Sequence, residues 1–154
     1  MSRLHKGGAV LAAAIALVGA WEGLRTVAYR DVVGIPTVCF GETRGVKMGD
    51  RYGVEECRAM LGDALAEFEA GMRRCLKKPD ALPDKVYVAF LSASYNIGTG
   101  AFCGSSMARR ANGGDLSGAC NALLAWNRAG GKVIPGLVNR RREENRICLE
   151  GLGR

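Results

Sequence analysis

An uncharged apolar run near the N-terminus is the feature that most constrains how this chain can fold. The run, GGAVLAAAIALVGA, covers residues 7–20 and follows the basic side chains of Arg3 and Lys6. It is shorter than the ~20 residues that span a bilayer comfortably, and extending it to Leu24 brings in the carboxyl group of Glu22. Because alanine and glycine dominate the run, we expect its hold on lipid to be weak.

Three interpretations of this run are open on the residues alone. A cleaved export signal is the first, because a basic start, a short apolar stretch and the small residues Val18-Gly19-Ala20 have the layout of such signals. A permanent membrane anchor is the second, although the shortness of the run disfavours it. In the third, residues 1–24 form an export and anchor segment that later leaves the membrane and becomes the first helix of the folded protein.

The rest of the chain predicts an α+β fold, with a small β-rich lobe over residues 25–52 and a larger helical lobe over residues 53–154 in one domain. Glycine and β-branched residues in the first part are typical of short strands joined by turns. Turns are expected at Gly34, Gly41 and Gly45. Apolar residues at intervals of three and four then indicate helices. These are predicted over 53–76, 83–96, 105–112, 116–127 and about 137–150, with a break at Gly130, Gly131 and Pro135.

Charge and cysteine content narrow the kinds of partner. The net charge of +7 predicts attraction to polyanions, but the chain has no zinc-finger spacing, RNA-binding motif or dense basic arm, so we expect no nucleic-acid partner. The chain has six cysteines, and no two of them are separated by the two residues typical of a metal-binding cysteine pair. His5 is the single histidine, so the cysteines favour disulfides over a metal site. A His-dependent catalytic triad is disfavoured because the only histidine lies near the start of the sequence. The spacing of the cysteines selects no pairing.

Three polar side chains within WEGLRTVAYRDVVGIPT are candidates for acid–base chemistry. Glu22 lies at the predicted end of the first helix, where Trp21 and Leu24 would shield it from water and favour its protonated form. Asp31 falls in the wetter β-rich region and is expected to be ionised, and Thr37 offers a hydroxyl group that can hold a water molecule. Two carboxyl groups in unlike environments can cleave a glycosidic bond. By composition and periodicity alone, however, a helix-end glutamate and a turn aspartate with no shared role remain the favoured interpretation.

The order Glu22, eight residues, Asp31, five residues, Thr37 resembles the signature of the phage-type lysozymes, the endolysins of glycoside hydrolase family 24. SYNIGTGAFCGSSMARRANGGD, residues 94–115, is similar to the family's helix–loop–helix segment. AWNRAGGKVIPGLVNRRREENRICL, residues 125–149, is similar to its C-terminal block. The resemblance therefore covers nearly the whole chain in the right order, and it implies a lysozyme-like fold.

The resemblance implies a muramidase that hydrolyses the β-1,4 bond between N-acetylmuramic acid and N-acetylglucosamine in peptidoglycan, without a metal or organic cofactor. Glu22 would be the general acid, Asp31 the base or electrostatic partner, and Thr37 the residue that holds the water. An inverting reaction places the two carboxyl groups roughly 6.5–9.5 Å apart. The chain departs from the family pattern at Pro36, where an aromatic residue is common, and at Glu42, where a histidine is common. We interpret Glu42 as a surface residue, with a third carboxylate near the cleft as the alternative.

If Glu22 is the acid, the helix before it has to remain in the mature enzyme, and this favours an endolysin of the signal-arrest-release type. Residues 7–24 would lie transiently in the inner membrane, with Glu22 held away from Asp31, and the freed enzyme would act as a monomer in the host periplasm. The segment contains no cysteine and the second catalytic position is not a cysteine, so thiol-based activation is disfavoured.

Family resemblance also implies the disulfide pairing. The expected pairs are Cys39–Cys57, Cys75–Cys103 and Cys120–Cys148.

We expect Arg140, Arg141 and Arg142 to form a solvated basic face. A non-enzymatic, membrane-active or binding protein would explain the charge and the cysteines but not the ordered motif. A lytic transglycosylase would need neither the water-positioning aspartate nor the threonine.

Overall fold

The computed structural model describes residues 1–6 and 8–154. Gly7, the first residue of the predicted apolar run, lies outside the described residues. The architecture is α+β, as predicted, and the chain divides into two compact units. One unit contains residues 4–66, and the other contains residues 1–3 together with residues 67–154. Each unit is described by itself.

The first unit begins with helix α1, Ala9–Glu22. Its alanines favour helix intrinsically, and Gly23 ends it with a φ of +77°. One side of α1 is buried, and its members are Ala14, Leu17, Val18 and Gly19. The side turned to solvent consists of small residues, namely Ala9, Ala12, Ala13, Ala16 and Ala20. Within residues 1–6 and 8–154, no helix has the length and apolar character that a membrane crossing requires.

Two antiparallel strands follow α1, β1 (Arg25–Arg30) and β2 (Pro36–Cys39). In their register Tyr29 lies opposite Thr37 and Arg30 lies opposite Pro36. The connecting turn contains Gly34, whose φ of +87° is readily adopted only by glycine. The three predicted turn glycines all have positive φ values, so the predicted turns are confirmed.

Helix α2, Val54–Cys75, shows the predicted apolar spacing. The predicted inward positions that are buried are Cys57, Leu61, Leu65 and Met72. The predicted outward positions that are exposed are Glu55, Asp63, Glu67 and Arg74. The helix is therefore amphipathic, as the sequence predicted.

Two glycines of α2 lie in different surroundings. A Cβ atom at Gly71 would be 2.4 Å from Cγ2 and 3.1 Å from Cβ of Thr99, so a side chain there would collide with its neighbour. A Cβ atom at Gly62 would be 3.7 Å from Leu11 and 3.8 Å from Ile15, which are ordinary contact distances. Close packing therefore requires glycine at the first position but not at the second.

In the second unit, helix α3 (Asp84–Ile97) is buried from Val86 through Ser94 and packs against the C-terminal helix. Short helices α4 (Thr99–Cys103), α5 (Ser106–Asn112) and α6 (Leu116–Ala122) follow. Strands β3 (Arg128–Ala129) and β4 (Lys132–Val133) then form a small hairpin before helix α7, Pro135–Glu150. The sequence did not predict α4 or this hairpin, and α7 begins at Pro135 because proline suits the first helical position.

All three expected disulfides are present and are therefore confirmed. Cys39–Cys57 lies in the first unit, with the Cα atoms 4.9 Å apart. Cys75–Cys103 and Cys120–Cys148 lie in the second, each with Cα atoms 5.6 Å apart. Each bridge joins residues distant in sequence and so restricts the unfolded chain.

The predicted basic face of three arginines is wrong for two of them. Arg140 is 4% exposed and Arg141 is fully buried, whereas Arg142 is exposed. The buried carboxylate of Glu144 explains the difference, because it forms ion pairs with Arg141 at 2.6 Å and with Arg140 at 3.4 Å. Ser92 on α3 donates a hydrogen bond to the same carboxylate at 2.5 Å. The positive charges of Arg140 and Arg141 are thus balanced by the buried carboxylate of Glu144 rather than by solvent.

Candidate active site

Glu22 is the last residue of α1, and close packing of that helix positions it. A Cβ atom at Gly19, one turn earlier, would be 3.1 Å from the ring of Phe40, so glycine lets the helix lie directly against this ring. Gly41 follows with a φ of +89°, and a Cβ atom there would be 3.9 Å from Oε2 of Glu22. The half-buried carboxyl group of Glu22 therefore lies beside Gly41, a residue without a side chain.

The shielding of Glu22 differs in part from the prediction. Trp21 is half-buried, but Leu24, the second residue expected to cover the carboxyl group, is 40% exposed. The partial burial of Glu22 therefore depends less on Leu24 than the sequence suggested.

Asp31 follows the end of β1 and organises the turn to β2. Its Oδ1 atom accepts hydrogen bonds from the backbone N–H groups of Val33 at 3.0 Å and Ile35 at 2.8 Å. Its own N–H donates to the carbonyl oxygen of Ile35 at 3.0 Å. Arg30 donates to the carbonyl oxygen of Gly34 at 3.0 Å and so braces the same turn. These bonds fix the position and orientation of the carboxylate.

Thr37 lies on β2 and is 4% exposed. Its Oγ1 atom donates a hydrogen bond to the carbonyl oxygen of Ile35 at 2.9 Å. The hydroxyl hydrogen of Thr37 is therefore used in this bond, whereas the hydroxyl oxygen can still accept a hydrogen bond.

Asp31 and Thr37 are joined through one residue that sequence reasoning did not single out. The backbone N–H of Ile35 binds the carboxylate of Asp31, and the carbonyl oxygen of Ile35 accepts from Thr37. Both contacts use main-chain atoms, so the side chain of Ile35 carried no signal of this role. Glu22 belongs to the same compact unit but lies on a different element, the end of α1.

Glu42 occupies the position where the sequence departs from the expected histidine. Its Oε1 atom accepts hydrogen bonds from the backbone N–H groups of Thr43 and Arg44, both at 2.9 Å, and the Arg44 guanidinium lies 3.4 Å away. Partial burial acts to raise the pKa of Glu42, but the hydrogen bonds from Arg44 and Thr43 outweigh it and lower this pKa overall. The carboxylate is thus engaged with its own turn.

In the described part of the chain, no group of three or more His, Cys, Asp or Glu side chains is placed to hold a metal ion. The hairpin carries the carboxyl group of Asp31 and the hydroxyl group of Thr37, and α1 ends with the carboxyl group of Glu22. These groups can donate a proton, accept a proton and orient a water molecule.

Comparison with known proteins gives consistent matches over most of the chain. The family model for phage lysozymes matches residues 19–144. The chain is 42% identical to a SAR-endolysin of Pseudomonas phage phiKMV, covering 93% of this chain and 90% of the relative. It is 37% identical to a SAR-endolysin of Enterobacteria phage P21, covering 94% and 90%. An endolysin structure from Escherichia coli O157:H7 phage FAHEc1 superposes with a TM-score of 0.81 at 32% identity, covering 90% of this chain and 91% of that one.

Proposed function

Because this chain belongs to the phage lysozyme family, we propose that it hydrolyses the β-1,4 bond between N-acetylmuramic acid and N-acetylglucosamine in peptidoglycan by an inverting reaction. The chain is a lysozyme, a glycoside hydrolase of the endolysin type. The observation that carries the more detailed assignment is the linkage of Asp31 and Thr37 through Ile35, in the hairpin beside the helix that ends at Glu22.

Asp31 acts as the general base. Its Oδ1 atom is occupied by two backbone N–H groups, and among the described residues no hydrogen bond engages its Oδ2 atom. Oδ2 is therefore the atom that accepts a proton from the attacking water. Because the turn bonds hold the carboxylate rigidly, no reorientation is needed as the reaction proceeds.

Thr37 orients that water. Since its hydroxyl hydrogen is donated to Ile35, the oxygen accepts one hydrogen of the water while Asp31 accepts the other. Two acceptors at fixed positions leave a lone pair of the water directed towards the anomeric carbon. Glu22 protonates the leaving oxygen, and the lack of a side chain at Gly41 leaves room for the sugar beside it.

Three substitutions test these roles by the clearing of chloroform-treated Gram-negative cells. Glu22→Gln and Asp31→Asn should each lower the clearing rate by about 100-fold or more, and Thr37→Val by about tenfold to 100-fold. Asp63→Asn, a matched change at an exposed carboxylate on α2, should retain the wild-type rate. Clearing near the wild-type rate by folded Glu22→Gln would refute its role as the acid.

Product analysis separates the possible reactions. Hydrolysis with inversion releases reducing ends that are first formed as the α-anomer, and this is visible by NMR before mutarotation. Retention would form the β-anomer first and contradict the base role of Asp31. Anhydro sugars would identify a transglycosylase instead.

We also propose that residues 7–24 hold the enzyme transiently in the inner membrane and that it is then released intact, as a monomer, into the host periplasm. Support comes from the names of the two endolysin relatives and from the alanine-rich composition of α1. Glu22 ends α1, so removal of α1 would remove the element that positions the acid. While residues 7–24 lie in lipid, Glu22 is held beside the membrane and the enzyme is inactive. N-terminal sequencing of periplasmic protein tests this, because a start at Trp21 would contradict it.

A further inference from the structure

Arg3, six residues before α1, makes a dense set of contacts in the second compact unit. Its Nη1 atom donates hydrogen bonds to the carbonyl oxygens of Pro79 at 3.0 Å and Leu82 at 2.9 Å, and its Nη2 atom donates to the carboxylate of Asp84. The guanidinium carbon lies 4.2 Å from the ring centroid of Tyr87. Only 16% of the Arg3 side chain is exposed, so the side chain is held in a formed site.

The backbone of Arg3 is held as well. Its N–H donates to Oε2 of Glu69 at 3.1 Å, and this buried carboxylate also accepts a hydrogen bond from the Tyr87 hydroxyl at 2.8 Å. Arg73 in turn donates to the Tyr87 hydroxyl at 3.1 Å and ion-pairs with Asp80 at 3.0 Å. The groups that receive Arg3 are therefore fixed by one another on α2, α3 and the turn between them.

The chemistry of this site selects a guanidinium group. Two carbonyl oxygens and a carboxylate surround the donor edge of Arg3, and an aromatic ring lies against its face. A planar fork of donors can satisfy these partners together, whereas an ammonium group is a single point charge. Lysine at position 3 would keep the charge but lose most of this recognition.

We propose that this site is a receptor for the chain's own Arg3, filled only after the N-terminal segment has left the membrane, and that its filling holds the enzyme in the released state. The proposal rests on the membrane-release function proposed above. Residues 1–3 cluster with residues 67–154 rather than with residues 4–66 that follow them. With residues 7–24 in the membrane, the basic residues Arg3 and Lys6 that precede the segment stay on the cytoplasmic side, whereas the receptor on α2 and α3 lies on the periplasmic side.

The direction of the effect follows from linkage. A contact that exists in only one of two states shifts the population towards that state by its own free energy. The Arg3 contacts are possible only in the released state. They therefore favour the released state and oppose return of the N-terminal segment to the bilayer.

A charge-conserving pair of substitutions tests the receptor. Arg3→Lys removes the fork but leaves the charge that must cross the membrane unchanged, and Lys6→Arg makes the reverse change at an exposed neighbour. Cells producing the full chain are treated to collapse the membrane potential, and the ratio of soluble periplasmic to membrane-held enzyme is measured by immunoblot. We expect Lys6→Arg to match the wild type and Arg3→Lys to lower the ratio by about tenfold, the change expected when a charge-assisted hydrogen bond is lost.

Asp84→Asn provides a second variant on the receptor side, at a carboxylate whose side chain is 67% exposed, so that folding is preserved. It should lower the same ratio, and the double variant with Arg3→Lys should lose less than the product of the two single effects. The specific clearing activity of each soluble fraction verifies that the released enzyme is folded. Equal ratios for the wild type, Arg3→Lys and Asp84→Asn, with intact wild-type enzyme in the periplasm, would overturn the receptor alone. Wild-type enzyme that stays in the membrane, or that begins at Trp21, would instead overturn the release on which the receptor rests.

Discussion

Replacement of Glu144 by glutamine should destabilise the protein by about 3–5 kcal/mol, because it leaves two buried arginines without their counter-charge. Glu144 is fully buried, and its ion pairs with Arg141 and Arg140 measure 2.6 Å and 3.4 Å. Burial acts against both charges: it raises the pKa of Glu144 and lowers the pKa of Arg141. Glutamine keeps the shape and can still accept from Ser92, so the lost charge accounts for most of the effect.

Thermal and urea unfolding measure this change directly. For a chain of 154 residues, each kcal/mol of lost stability lowers the midpoint of thermal unfolding by about 2–4 °C, so Glu144→Gln should lower this midpoint by about 10 °C. Glu143→Gln is the matched control on the same helix, at a half-exposed position, and should change the free energy of unfolding by less than about 0.5 kcal/mol. If the two variants differ by less than that amount, the buried carboxylate does not compensate the arginines and the reasoning is wrong.

Three other features give predictions that unfolding measurements can check. Gly71→Ala should lower the free energy of unfolding by about 1–2 kcal/mol through overpacking, whereas Gly62→Ala on the same helix should raise it by about 0.5–1 kcal/mol; an equal effect at both sites would contradict the packing argument. Loss of the Cys120–Cys148 bridge, by serine at both positions, should cost about 3.5 kcal/mol for its separation of 28 residues, and a cost below about 1 kcal/mol would contradict the loop-entropy estimate. The folded-state pKa of Glu42 is lowered from its ordinary 4.5, so the contribution of this carboxylate to the free energy of unfolding is present above that pH and is lost as the pH falls through the lowered value. The stability difference between the wild type and Glu42→Gln should therefore shrink below pH 4.5. A difference that grows there would refute the assignment.

Helix α2 was predictable because one physical signal dominates it. Its buried positions recur at the helical period, so periodicity alone identified both the helix and its inner face. The C-terminal helix carries no such signal in the stretch RRREEN. There the choice of which arginines are buried depends on Glu144 and Ser92, a tertiary arrangement that the local sequence does not encode.

Short elements were missed because they contain too few residues to show a period. Helix α4 spans five residues, and Gly98, interpreted as a stop, both ends α3 and precedes α4. The pair Gly130-Gly131 predicts a break between helices, but two glycines with positive φ also make a tight hairpin turn, as they do between β3 and β4.

The sequence supplied the residues of the candidate site as a prediction, but not the contacts that they make. Glu22, Asp31 and Thr37 were identified by resemblance to a family signature, since their spacing alone favoured no shared role. The link through Ile35 involves main-chain atoms only, and main-chain contacts leave no trace in residue type. Likewise, the position of Gly41 beside Glu22 depends on how α1 packs on Phe40.

In the membrane release proposed above, the outward side of α1 would meet two solvents, lipid and water; it is made of Ala9, Ala12, Ala13, Ala16 and Ala20. A methyl group is tolerated in hydrocarbon, and it presents so little area to water that a helix can display a row of methyl groups without aggregating. Leucine at these positions would add about 0.8 kcal/mol of lipid affinity for each extra methylene and would enlarge the exposed apolar surface of the enzyme in water. In this proposed release, the side chains that weaken the hold of α1 on lipid are the same ones that limit its exposed apolar surface in water, so a helix of this composition cannot also be a strong anchor.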